Sequence, residues 1–97
     1  MFIIELTYLK PLDVIDQLLV AHRSFLDECY KKNYFFASGP KNPRTGGIIL
    51  SHLTDRKAID EIIQQDPFYI EEIAEYKIIE FSPVKYDGHF LYYIADK

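Results

Sequence analysis

One histidine occupies a position where an amphipathic helix would carry an apolar side chain. Seven residues form a single apolar stripe at helical spacing: Leu12, Ile15, Leu18, Leu19, Phe25, Leu26 and Cys29. His22 falls on the same face, because residues three and four positions apart on a helix are neighbours. An imidazole placed there is either a core residue bonded to a backbone carbonyl or a general acid–base group, since imidazole titrates near neutral pH.

A catalytic histidine needs a partner, and Asp66 is the candidate. Pro67 follows it, so Asp66 is suited to be the N-cap of a short helical turn. It is equally suited to hold His22 in one tautomer, which is the arrangement that recurs in general acid–base sites. A carboxylate has several acceptor positions, so the two roles are compatible.

The elements that must position this pair follow from periodicity and from helix and strand signals. The pattern predicts the order βαββαβ, an antiparallel α+β fold of the ferredoxin-like type with two helices on one face of a four-stranded sheet. Asp13 is expected to start the first helix, Thr54 to cap the second and Pro67 to open a short turn reaching about residue 74. The predicted strands and helices are 2–9, 13–31, 34–39, 47–52, 54–65 and 76–81.

The strands are apolar on both faces. Ile3 and Leu9 oppose Ile4 and Leu6 in the first strand, so a sheet with helices on one side leaves a second apolar face. A second copy of the chain, packed sheet against sheet, is the simplest cover, which predicts a homodimer. The segment after residue 83 contains the hairpin signal Asp87-Gly88 followed by aromatic residues. It is expected to pair with a sheet edge or with the partner chain.

Composition limits the classes of function. The chain has 97 residues, which suits one domain, and its net charge of −4 with scattered Lys and Arg argues against nucleic-acid binding. The lone Cys29 suits a buried thiol in a reducing compartment, and residues 1–4 are too few for a signal peptide or a membrane span. A cytoplasmic protein that does not bind membranes is therefore expected.

Other candidate chemistry is weaker. His22, His52 and His89 lack metal-ligand spacing and an accompanying carboxylate cluster, so no metal site is predicted. The loop from Lys41 to Gly47 is either a solvated turn or, through Arg44 or Lys41, an anchor for an anionic substrate. The sequence contains no phosphate-binding loop, dinucleotide fingerprint or Ser-His-Asp motif. Tyr8, Tyr34 and Tyr76 are assigned to packing, although each could present its hydroxyl to a pocket.

Several motifs together resemble the YCII-related family over about residues 2–83. The helical His22 followed by Phe-Leu comes first, and three further motifs occur at similar spacing: Ala37-Ser38-Gly39-Pro40, Asp66-Pro67-Phe68 and Phe81-Ser82-Pro83. The resemblance implies a homodimeric α+β barrel of two ferredoxin-like chains, with His22 and Asp66 as an active-site dyad. It implies activities similar to those of muconolactone isomerases, cofactor-free monooxygenases and dehydrochlorinases of hydroxylated aromatic rings.

The sequence thus leads to two functional hypotheses. In the first, residues 1–83 form a cofactor-free enzyme of lyase, isomerase or dehydrochlorinase type, in which His22 moves a proton and Asp66 orients it. Ser38, Gly39, Pro40 and Arg44 then border the substrate. In the second, the same dimer binds a small ligand or a partner without catalysis. Residues 84–97 are a C-terminal extension in both.

Overall fold

A four-stranded antiparallel sheet with helices on one face forms the fold, as predicted. The computed structural model describes residues 1–94. The strands lie in the order β2-β3-β1-β4, which is the ferredoxin-like arrangement. The elements are β1 (Phe2–Tyr8), α1 (Leu12–Gln17), α2 (Leu19–Lys31), β2 (Phe35–Pro40), β3 (Gly46–Ser51), α3 (Arg56–Ile63), α4 (Pro67–Ile70), β4 (Ala74–Glu80) and a C-terminal 3-10 helix (Gly88–Tyr93).

The core lies between the sheet and the helices. Phe2, Ile4 and Leu6 alternate along β1 and are almost fully buried. They belong to one cluster with Ile15 of α1 and Phe68 of α4, so the helices cover the face on which these strand residues lie. The opposite face carries Ile3, Ile48, Leu50 and Ile79 of β1, β3 and β4, which are half-buried or exposed.

The first predicted helix is two helices. Leu18 interrupts it, with φ −108° and ψ 4°, and its N–H donates to Ile15 in a tighter turn. The residues around the break are neither Gly nor Pro, so no local helix breaker accounts for it. The start was also misplaced: Pro11 is the N-cap and Asp13 lies in the first turn, where its charge complements the helix dipole.

The end of α2 was predicted correctly. Asn33 has a φ of 61°, and the N–H of Tyr34 donates to the carbonyl of Cys29 at 2.9 Å, which is the bond that closes a Schellman turn. This turn reverses the chain from α2 into β2. It thereby brings β2 alongside the helix that carries His22.

The cap of α3 is Asp55 rather than Thr54. The Asp55 side chain accepts a hydrogen bond from the backbone N–H of Lys57 at 3.0 Å. Asp is at least as good an N-cap as Thr, so the local sequence did not distinguish the two positions. The turn opened by Pro67 is also shorter than predicted, because β4 begins at Ala74 rather than Tyr76.

Up to residue 94, where the described part of the chain ends, the C-terminal segment contains a 3-10 helix and no hairpin. Asp87 caps the 3-10 helix by accepting a hydrogen bond from the N–H of His89 at 2.9 Å. Phe90 and Tyr93 pack against Phe36 of β2, with ring centroids 5.5 and 4.6 Å apart respectively. The predicted extension reaches residue 97, and its last three residues lie outside the described part of the chain. Its separation from the domain at residue 83 stays a prediction.

Candidate active site

His22 and Asp66 are in direct contact. His22 Nδ1 and Asp66 Oδ1 are 2.8 Å apart, although 44 residues separate them in sequence. The Asp66 side chain is 1% exposed, so its carboxylate is buried. The His22 side chain is 12% exposed, so a ligand can still reach the imidazole ring. The alternative in which His22 bonds a backbone carbonyl is not what the structure shows.

Two further donors bind the Asp66 carboxylate. Oδ1 also accepts from the backbone N–H of Phe68 at 3.0 Å, which makes Asp66 the N-cap of α4. Oδ2 accepts from the Tyr76 hydroxyl at 2.6 Å. Both roles considered for Asp66 therefore occur together, and the carboxylate is fixed from three sides.

The hydrogen-bond pattern determines the tautomer of His22. Burial, followed by the negative charge of Asp66, raises the pKa of Tyr76 far above its ordinary value, so the phenol stays protonated and donates to Asp66. A carboxylate can only accept, so Nδ1 of His22 carries the proton that it shares with Asp66. Nε2 is then the basic nitrogen in the neutral ring.

Phe68 fixes the plane of the His22 ring. The two rings are stacked with centroids 4.0 Å apart and an interplanar angle of 2°. One turn of the chain at α4 therefore supplies both the carboxylate that binds the edge of the imidazole and the aromatic ring that covers its face. Asp66, Pro67 and Phe68 act as a single local unit because the N-cap bond ties the first of them to the third.

A cavity of about 650 Å³ lies between α2 and the strands β1, β3 and β2. That volume is within the range of small-molecule sites. Its walls are mainly apolar, with polar groups contributed by α2 and by the loop before β3. The lining residues are Leu6, Tyr8, Leu19, His22, Arg23, Leu26, Asp27, Tyr30, Ser38, Gly39, Pro40, Arg44, Gly47, Ile48, Ile49 and Phe68.

The predicted substrate-binding residues of β2 lie at this cavity. Ser38, Gly39 and Pro40 form part of its wall. The Ser38 Oγ and Tyr30 Oη atoms are 2.7 Å apart, which joins β2 to α2. Two hydroxyls that share one hydrogen bond still have a second proton and free lone pairs, so they can bind a polar group of a ligand.

Arg44 also lines the cavity, but its charge already has a partner. Its Nη2 lies 2.6 Å from Asp16 Oδ1, and its guanidinium carbon lies 6.0 Å from the centre of the Tyr8 ring. The hydrogen bond to Asp16 raises the pKa of Arg44. Lys41, the other cation considered as an anion anchor, instead pairs with Glu5 at 3.1 Å on the opposite sheet face.

The remaining reactive side chains lie elsewhere. Cys29 is buried, and this burial raises the pKa of its thiol to about 11, so it is a poor nucleophile near neutral pH. Across residues 1–94, no group of three His, Cys, Asp or Glu side chains is placed to hold a metal ion. In the same part of the chain, no helix is long and apolar enough to cross a membrane.

Sequence reasoning missed Tyr30 in the cavity wall and both side chains that support the His22–Asp66 pair. Tyr76 was assigned to packing, although its position on the inner face of β4 follows from the register opposite Leu6. Phe68 was used only as part of a motif, although a ring two residues after an N-cap carboxylate lies close to whatever that carboxylate binds. No sequence signal gives the distance from Tyr76 to Asp66, because it depends on how α4 packs against the sheet.

Comparison with known proteins yields a family and a fold. The model of the YCII-related domain matches residues 1–82. A solved structure of 5-chloro-2-hydroxyhydroquinone dehydrochlorinase from Burkholderia phenoliruptrix AC1100, in complex with 2,5-dihydroxybenzoquinone, has a TM-score of 0.69 and 17% identity. The match covers 92% of this chain and 98% of that one. At that identity the likeness establishes the fold. The search of curated proteins gave no match.

Proposed function

The chain belongs to the YCII-related family, and on that premise we propose that it is an enzyme in which His22 is the general base and Asp66 orients it. The observation that carries the proposal is the 2.8 Å contact from His22 Nδ1 to a sealed carboxylate, made by a ring that borders a cavity. A base held by a third group, next to a space of ligand size, is the arrangement that proton transfer requires.

The proposed substrate is a compact ring that carries hydroxyl groups. The apolar walls of the cavity suit a ring, and the Tyr30 and Ser38 hydroxyls suit its polar substituents. The named activity of the structural neighbour, removal of chloride and a proton from a chlorinated hydroxyhydroquinone, belongs to the same substrate class. Ser38, Gly39, Pro40 and Arg44 are proposed to border the substrate.

The chemistry needs no redox step. His22 takes a proton from a ring hydroxyl and returns it to a ring carbon, which converts an enol to its keto form and amounts to isomerisation. If that carbon carries chlorine, removal of a second hydroxyl proton by Nε2 expels chloride with the C–Cl electron pair. The products are then chloride, the protonated imidazole and a ring in which two carbonyl groups replace the two hydroxyls and hydrogen replaces chlorine. Asp66 stabilises the imidazolium in each step.

The test is turnover with defined compounds. The wild-type protein is incubated with chlorinated and unchlorinated hydroxyhydroquinones and with lactones, and chloride release and ring absorbance are followed. We expect His22→Ala and Asp66→Asn to reduce the rate by about two to four orders of magnitude. Ser24→Ala, on the exposed side of the same helix, is the control and should retain the rate.

The rival function, ligand binding without catalysis, is separated by the same experiment. Binding of 2,5-dihydroxybenzoquinone is measured by ligand-detected NMR alongside turnover. Binding without turnover of any compound, or turnover that survives His22→Ala, contradicts the enzymatic proposal.

We also propose that the chain acts as a homodimer. By alternation, Ile3, Ile48, Leu50 and Ile79 share the sheet face opposite the helices, and Ile79 is 41% exposed. At one end of this face, Tyr93 of the C-terminal 3-10 helix packs against Phe36 and His52. A second copy packed on the rest would bury these side chains.

Sedimentation tests this assembly. At micromolar concentration the wild-type chain should sediment as a dimer. Leu50→Glu, at the centre of the face, should shift it toward monomer, and Ser24→Glu on the helical side should leave it dimeric. A wild-type monomer, or a dimer unaffected by Leu50→Glu, contradicts the sheet-to-sheet arrangement.

A further inference from the structure

We propose that Tyr76 is a positioning residue of this site, because its hydroxyl locks the Asp66 carboxylate in the orientation that keeps the His22 proton on Nδ1. The inference rests on the proposed function for its catalytic consequence. Its structural part, that Tyr76 controls the tautomer of His22, can be tested without any substrate.

The geometry gives Tyr76 a specific task. Asp66 Oδ1 receives two donors, the Phe68 N–H at 3.0 Å and His22 Nδ1 at 2.8 Å. Oδ2 accepts a hydrogen bond from the Tyr76 hydroxyl at 2.6 Å. The Phe68 bond alone anchors a single oxygen, so the carboxylate could still rotate about that anchor. The bond from Tyr76 to the second oxygen removes this freedom.

The direction of the Tyr76 bond is also determined. A hydroxyl can donate or accept, but a carboxylate offers it only an acceptor, so the phenol proton points at Oδ2. Burial and the charge of Asp66 raise the pKa of Tyr76, which keeps this proton in place. The short distance is typical of a hydrogen bond from O–H to a carboxylate.

The three side chains come from three elements. His22 lies on α2, Asp66 begins α4 and Tyr76 lies on β4 with its ring facing the helices. Tyr76 therefore ties the dyad to the sheet, in which β4 is paired along its length with β1. Without this bond, the dyad would depend on α4, a helix of only 4 residues.

The expected consequence is a change in tautomer. In Tyr76→Phe the ring remains but Oδ2 of Asp66 loses its donor, so the carboxylate can turn and the His22 Nδ1–H bond weakens. The neutral ring then populates the tautomer that carries its proton on Nε2. In that tautomer Nε2 cannot accept a proton from the substrate. Because hydrogen bonds to charged groups are the stronger ones, we expect kcat/KM to fall about 10- to 100-fold, mostly in kcat.

The test uses the nitrogen-15 spectrum of His22 in the wild-type protein and in two variants. Wild-type should show Nδ1 protonated and Nε2 unprotonated in the neutral ring, and Tyr76→Phe should show a mixture of both tautomers. Tyr69→Phe is the matched control: Tyr69 packs on the Tyr76 ring with centroids 5.7 Å apart, and its loss of a hydroxyl should change neither the spectrum nor the rate.

A second measurement guards against a variant that does not fold. In wild-type protein, the Tyr76 hydroxyl proton should give a slowly exchanging resonance, because the bond to Oδ2 is part-buried. A rapidly exchanging hydroxyl, or an unchanged His22 tautomer in a folded Tyr76→Phe protein, overturns the proposal. If Asp66→Asn abolishes turnover while Tyr76→Phe has wild-type kcat/KM and tautomer, the Tyr76 proposal fails and the proposed function stands. If no compound is turned over but the tautomer responds to Tyr76→Phe, the proposed function fails and the Tyr76 proposal stands in its structural part.

Discussion

Replacing Asp66 with alanine should destabilise the protein far more than an ordinary loss of a helix cap. Asp66 is fully buried and accepts hydrogen bonds from three groups, His22, Phe68 and Tyr76. Loss of the N-cap bond costs about 1 kcal/mol. Leaving the part-buried Tyr76 hydroxyl without its partner costs about 1–3 kcal/mol, and the His22 N–H, on a side chain that is 12% exposed, costs somewhat less. Together these terms give about 3–5 kcal/mol, a large share of the about 5–15 kcal/mol that stabilises a small domain.

Asp55 provides the matched comparison. It is the N-cap of α3, it accepts one hydrogen bond from Lys57 at 3.0 Å, and its side chain is exposed. Asp55→Ala should therefore cost only about 1 kcal/mol. The difference between the two variants isolates what His22 and Tyr76 contribute through Asp66.

Urea unfolding at pH 7, followed by circular dichroism at one fixed protein concentration, measures both values, because self-association would make the midpoint depend on concentration. If Asp66→Ala does not fold, Asp66→Asn and Tyr76→Phe, singly and together, give the coupling between these two residues. A loss in Asp66→Ala within about 0.5 kcal/mol of that in Asp55→Ala refutes the idea that the buried hydrogen bonds stabilise the fold.

Three further predictions concern other parts of the fold. Gly46→Ala should prevent normal pairing of β1 with β3, because an added Cβ would lie 1.8 Å from the Leu6 carbonyl oxygen, whereas Gly39→Ala, with no atom within 4 Å, should change stability by less than about 0.5 kcal/mol in the same unfolding assay. The Cys29 thiol should react with a disulfide reagent about a hundredfold more slowly in the native protein than in urea at pH 8, because its pKa is raised from 9.0 to about 11. The same shift means that its contribution to stability is present below pH 9 and is lost as the pH rises toward 11; a native thiol that reacts at the unfolded rate contradicts both statements. Glu72→Gly should raise the melting temperature by an amount equivalent to about 0.5–1 kcal/mol, because Glu72 has a φ of 56°, and Glu71→Gly, where φ is −88°, should not raise it.

Much of the fold was predictable from local patterns. Alternation in β1 identified both faces of the sheet, because side chains in a strand point to opposite sides at every step. Asn33 marked the end of α2 and Pro67 the start of α4, because each has a backbone preference that acts without tertiary contacts. The predicted α+β fold and the family are both confirmed.

The errors have one physical origin. The break at Leu18, the shift from Thr54 to Asp55 and the 3-10 helix after Asp87 each occur where the local sequence is compatible with more than one conformation. Packing chose between them. For the tail, contact of Phe90 and Tyr93 with Phe36 outweighed the hairpin preference of Asp-Gly.

The candidate site divides in the same way. Sequence alone identified His22 as a polar group on an apolar helix face and Asp66 as a cap before Pro67, because both statements depend on neighbours within four residues. Only the tertiary structure decided that they meet at 2.8 Å, that Phe68 stacks on the imidazole and that Tyr76 donates a hydrogen bond to the second carboxylate oxygen of Asp66. Those contacts depend on where α2, α4 and β4 pack against one another, and packing positions are set by the whole core rather than by any segment.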